Sequence, residues 1–174
     1  ASAQVTLAGG SPGVPSVDPG ALFGYVPLDS VGVSPIPLGD EDILNFGVAP
    51  YVFNGVTYTR IGVDSNGYLI AGGGDAEDNN CCNLPTGPSP AMPNNMRAPF
   101  WTDLDGTGAP GVFAASLTDG VDEWIVIEWR VNVWGTTSLR TFQTWIGTGE
   151  AQDITFAYDA ADLPGEPAGQ AFLV

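Results

Sequence analysis

Histidine and lysine are both absent from this sequence, and that removes most catalytic machinery before any motif is weighed. A Ser-His-Asp or Cys-His nucleophile needs an imidazole as its base. Zinc sites other than all-cysteine ones almost always use histidine. Without lysine there is no Ser-Lys pair, no Schiff base and no P-loop cation. Carboxylate chemistry survives, as in a glycosidase pair. Glu123 and Glu128, however, stand an odd number of residues apart on one expected strand and so face opposite ways. The chain is expected not to be an enzyme.

Positive charge is scarce as well. Four arginines, Arg60, Arg97, Arg130 and Arg140, stand against 20 acidic residues, for a formal net charge of −16. That balance repels phosphates and anionic lipid, so neither nucleic acid nor a membrane surface is an expected partner. It attracts divalent cations and keeps an exported protein soluble. No run of eighteen apolar residues exists, so no membrane-spanning helix is expected. Ala1-Ser2-Ala3-Gln4 carries neither the basic nor the apolar region of a signal peptide, as in a mature secreted product, and an extracellular location is expected. Cysteine is limited to the adjacent Cys81 and Cys82. They form a vicinal disulfide, stay as two free thiols, or bridge to another chain. An oxidised pair suits an exported protein.

What is present points to strands. Glycine (24) and proline (15) are abundant, and 44% of the residues are apolar, which gives a core with many turns and little room for helix. Residues 1–20 are rich in Gly, Pro, Ser and Ala and read as a flexible arm or linker. Within them Val5-Thr6-Leu7 alternates well enough to pair with a sheet edge, in its own molecule or a neighbour. Residues 21–174 form one domain. Its first part, to about residue 50, reads as an extended strap punctuated by Pro27, Pro35, Pro37 and Pro50. Regular structure is expected from Tyr51. A hairpin follows, with Val56–Val63 and Tyr68–Ala71 joined by Asp64-Ser-Asn-Gly67, where Asn66-Gly67 supply positive φ. After a long Gly/Pro-rich loop come a short strand over Arg97–Trp101 and strands at Gly111–Leu117, Glu123–Val131, Leu139–Ile146, Asp153–Tyr158 and Gln170–Val174. Both faces of Glu123–Val131 are partly apolar, as in a central strand. The fold class is therefore all-β, an antiparallel, jelly-roll-like β-sandwich with long Gly/Pro-rich loops.

Asp103-Leu-Asp-Gly-Thr-Gly108 presents oxygen ligands at positions 1, 3 and 5 and glycine at 6, as in the first half of a calcium loop. Ala114 stands where an EF-hand has its bidentate glutamate, so distant acids must complete the site. The expected calcium ligands are Asp103, Asp105, Thr107 and Asp64, with Asp119 and Asp122 as alternatives. The competing reading is a turn whose carboxylates cap backbone amides. Asp40-Glu41-Asp42 and Asp75-Ala-Glu-Asp78 are acid clusters in loops that are solvated or hold a second cation. Of the five tryptophans, most belong in the core, with one or two available to stack on sugar.

Three blocks carry a resemblance: Phe53-Asn-Gly-Val-Thr-Tyr-Thr-Arg-Ile-Gly-Val-Asp-Ser-Asn-Gly-Tyr-Leu69, Pro93-Asn-Asn-Met-Arg-Ala-Pro-Phe-Trp-Thr-Asp-Leu-Asp-Gly-Thr-Gly-Ala-Pro-Gly111, and Trp124-Ile-Val-Ile-Glu-Trp129 with Phe142-Gln-Thr-Trp-Ile-Gly147 and Asp153-Ile-Thr-Phe-Ala-Tyr158. Over about residues 20–174 the chain resembles the non-catalytic accessory domain that follows the protease domain in secreted bacterial subtilisin-like serine peptidases. The resemblance implies a parent polypeptide whose catalytic domain lies elsewhere, and it carries over no catalytic residue. Three functions stay open. One is an accessory domain for substrate binding, surface binding or structural support, with the parent catalytic domain, an extracellular protein or a polysaccharide as partner. The second is a self-assembling filament subunit using strand donation at sheet edges. The third is a carbohydrate-binding module.

Overall fold

A computed structural model describes residues 3–6 (backbone), 25–79, 81, 93–120, 122–149, 152–159 and 161–162. Among the described residues, ten strands make two sheets. The first sheet runs β1 (Ala3–Thr6), β7 (Gly111–Thr118), β8 (Glu123–Val133), β9 (Leu139–Gly147), β10 (Ile154–Tyr158), with β6 (Leu104–Asp105) also pairing β8. The second runs β2 (Ile43–Phe53), β3 (Val56–Asp64), β4 (Leu69–Ala71), β5 (Met96–Arg97). All pairings are antiparallel except β1 with β7. The chain is thus an all-β sandwich of the expected class. β2–β5 and β7–β10 each run as a meander of sequence-adjacent strands, with β1 added beside β7 and β6 beside β8.

The core lies between the sheets. Tyr51, Ile61, Val63, Leu69 and Ala71 meet Val112, Ile125, Ile127, Trp129, Val131, Phe142 and Ile146. A second apolar layer covers the other face of the β7–β10 sheet, where Tyr25, Leu28 and Val33 pack on Phe113, Leu117, Trp124, Val126 and Trp145. Both faces of β8 are therefore buried, which explains why its sequence is apolar at successive positions.

Several expectations shift. The strands of the second sheet start at Ile43 rather than Tyr51, because β2 absorbs Gly47 and Pro50 in a register irregularity between Gly47 and Tyr51. Pro50 is exposed on a strand with β3 along one side only, where a missing N–H costs no ladder bond. The strand expected over Arg97–Trp101 is two residues, Met96–Arg97. Only Gly67, not Asn66, has positive φ in the β3–β4 turn (φ 81). The turn closes through Asp64 N to Tyr68 O at 2.9 Å and Gly67 N to Asp64 O at 3.2 Å, with one left-handed residue rather than two. A Cβ at Gly67 would strike the Phe100 carbonyl oxygen. The strand expected at Gln170–Val174 lies outside the described residues, as do residues 1, 2 and 7–20 of the arm.

Candidate functional site

Strand alternation puts Glu128 on the strap side of β8, where it is fully buried. It accepts hydrogen bonds from the Tyr25 hydroxyl at 3.1 Å, the Leu28 N–H at 2.8 Å and Gln143 Nε2 at 2.9 Å. Arg130 Nε completes the set. The Arg130 guanidinium sits over Phe113 at 4.5 Å and grips Asp29 with two bonds of 2.9 and 2.7 Å. Gln143 Oε1 accepts the Val26 N–H at 3.3 Å and Trp145 Nε1 at 2.9 Å. Asp29 is held below the usual carboxylate range, chiefly by the bond from Arg130, and burial together with Glu128 pushes the Tyr25 phenol up. A carboxylate enclosed this way anchors residues 25–30 to the sheet. It cannot reach a substrate, and the partnership of Glu123 and Glu128 in bond cleavage has no geometric basis.

A second polar centre forms at the opposite end of β3. Residues 61–71 are buried throughout, and the Asp64–Gly67 turn satisfies its polar groups by binding its neighbours. Ser65 exchanges bonds with Asp42, from Ser65 N to Asp42 O at 2.9 Å and from Asp42 N to Ser65 Oγ at 3.1 Å. Asn66 Oδ1 accepts the Leu104 N–H at 3.0 Å, and its Nδ2 donates to Glu41 at 3.3 Å. A bridge also joins Asp40 to Asp105. One hairpin turn thereby gathers two acidic segments, 40–42 and 103–105, at one end of the sandwich.

Carboxylate oxygens of Glu41 and Asp103 and the sulfur of Cys81 lie within 4.8 Å of one another. Cys81 is disulfide-bonded, so its sulfur is no thiolate, and the two carboxylates are the hard donors of this group. Cys82 lies outside the described residues. Burial first, then Asp40 and Asp103, raise the Glu41 pKa above the ordinary range, with Asn66 opposing. Burial, then Asp40 and Asp105, raise that of Asp103. No arginine is among the groups acting on either.

The residues expected from sequence are distributed across this end. Asp103 lies beside Glu41. Asp105 Oδ1 accepts the Thr107 N–H at 2.7 Å, an Asx turn that leaves Thr107 exposed. Asp64 lies beneath, with 0% of its surface exposed. Its Oδ1 accepts the Asn66 N–H at 2.8 Å, while Oδ2 has no hydrogen-bond partner among the described residues. Burial pushes its pKa up to about 7, with small additions from Glu41 and Asp42, against the Asn66 N–H and the Tyr68 side chain. Asp119 caps the Asp122 N–H at 2.9 Å, and Asp75 and Asp78 cap amides within their own turn. The sequence expectation missed Glu41 as Asp103's neighbour, although Asp40-Glu41-Asp42 stood out as an acidic run. Nothing in the spacing placed that run beside residue 103.

Trp124, Trp129 and Trp145 are buried, and Trp101 is partly so. Trp134 is exposed, at the turn between β8 and β9 rather than on a concave sheet face.

A family model described as NIDO related matches residues 40–171. The chain belongs to this NIDO-related family. NIDO-related domains are an extracellular, non-catalytic type of β-domain, and the match takes in β2–β10 and the acidic end. No curated protein and no solved structure matches the chain.

Proposed function

We propose that this NIDO-related domain is a non-catalytic accessory module of an exported polypeptide, braced at its acidic end by calcium. The parent suggested by the sequence resemblance is a secreted subtilisin-like peptidase, and the module's role is structural support or presentation to an extracellular protein or polysaccharide. The observation that carries the calcium part is the approach of Glu41 and Asp103, two carboxylates raised in pKa beside Asp40 and Asp105. A hard divalent cation with oxygen ligands relieves that repulsion. Asp40 and Asp105, which act electrostatically on Asp103, are the acids proposed to complete the site.

Thermal unfolding with calcium and with EDTA, at equal ionic strength and followed by tryptophan fluorescence, tests this. A cation that binds only the folded chain stabilises it by about 2.7 kcal/mol at a hundredfold excess over Kd. The midpoint should rise by several degrees with calcium, and Glu41→Gln with Asp103→Asn should remove the rise. An unchanged midpoint rejects the calcium brace and leaves these acids as solvated turn residues. Because protons compete for the same oxygens, the calcium effect should fade on acidification at a higher pH than ordinary carboxylates would give.

A further inference from the structure

We propose that the edge of β7 is a docking surface for β1 of a second copy of this chain. The inference is independent of calcium. In one molecule β1 lies parallel to β7, with Ala3 opposite Ala115, Gln4 opposite Ser116, Val5 opposite Leu117 and Thr6 opposite Thr118. The other end of the same edge is already closed. Ile36 pairs with Val112 through bonds of 2.7 and 3.0 Å, and Gly111 (φ 100) lets the Ile36 carbonyl approach where a Cβ would collide with it. The Ala115–Thr118 half of the edge is therefore a slot of fixed length and register that this chain's own residues 3–6 fit.

An edge with unpaired N–H and C=O groups templates any matching strand, and every copy carries the same matching strand. β1 is four residues long and is ordered in the sheet as the outermost strand, so exchanging it breaks only that short ladder. Residues 7–24 connect it to the body. Eighteen residues reach up to about 60 Å when extended, against roughly 40 Å across a domain of this size. β1 can therefore reach the β7 of a neighbour. Such a linker gives an effective concentration in the millimolar range, which favours the internal pairing in dilute solution and the exchanged one where copies are crowded. Exchange is head-to-tail, so it extends into chains of molecules unless it closes in a ring.

The test uses full chains. One preparation carries Gln4→Cys, another Ser116→Cys, and a third both substitutions. The two single variants are mixed at high protein concentration in salt sufficient to screen the −16 charge and then oxidised. A covalent dimer containing one chain of each kind is expected, and the double variant should form an internal cross-link in dilute solution. Monomers from the mixture, with the double variant cross-linked internally, would overturn the proposal. Sedimentation of the wild type and of Val5→Pro decides the case independently of cross-linking. Oligomers growing with concentration in the wild type and absent in the proline variant support exchange. A wild type that stays monomeric up to millimolar concentration, or equal association of the two, refutes it.

Discussion

Burial, more than any partner, governs Asp64. Its folded pKa of about 7 lies above the ordinary 3.8, so between those values the folded chain holds a proton that the unfolded chain has released. The stability linked to this group is fully present below about pH 4, declines as pH rises toward 7 and is level above that. Asp64→Asn keeps an oxygen for the Asn66 N–H and removes the titration. Its unfolding midpoint should vary less between pH 4 and 7 than that of the wild type, and identical profiles would show that Asp64 buries no charge on ionising. Glu128 is a buried carboxylate with four hydrogen-bond donors turned toward it. Glu128→Ala leaves the Leu28 N–H and the Tyr25 hydroxyl without their acceptor while Arg130 keeps Asp29, and denaturant unfolding should register a loss of at least about 1–3 kcal/mol.

At the scale of elements, the strap of residues 25–33 depends on that one carboxylate more than on its own regularity. Its ordered turn, Leu28–Val31, is a single 3-10 turn, too short to hold itself. Glu128→Gln removes charge from the bonds to Tyr25, Leu28 and Arg130 while keeping the volume. Amide exchange at residues 26–33 should then quicken while β9 is little changed, and uniform quickening would mean that the strap has no separate stability. The β3–β4 turn is the other element whose chemistry is local. Gly67→Ala forces a Cβ onto the Phe100 carbonyl at positive φ, and a cost above about 1–3 kcal/mol is expected in the same unfolding assay. These elements also mark what the sequence made legible. β3, β7, β8, β9 and β10 were readable from alternation and β-branched residues, and β8 from its two apolar faces. β2 was hidden because Pro50 read as the end of an extended strap, and only its edge position and bulge make that proline harmless. The acidic end was half readable. Asp103 and Asp105 stood in a recognisable loop, but the hairpin turn that brings Glu41 alongside acts through tertiary hydrogen bonds that leave no trace in spacing.

At the scale of the molecule, two sheets, a strap and an acidic end form a NIDO-related β-domain whose interior carboxylate is committed to structure and whose repelling carboxylates sit together where the 40–42 and 103–105 segments meet. The chain's −16 charge sharpens that contrast, since its four arginines are too few to neutralise both places and one of them, Arg130, serves the strap. Calcium bracing is the claim on which the functional reading turns, and calorimetric titration of calcium into the metal-free chain tests it most directly. One calcium bound per chain is expected, with binding lost in the Glu41→Gln, Asp103→Asn variant and retained in Asp75→Asn. Absence of binding heat, or equal binding by the wild type and the Glu41→Gln, Asp103→Asn variant, would contradict it.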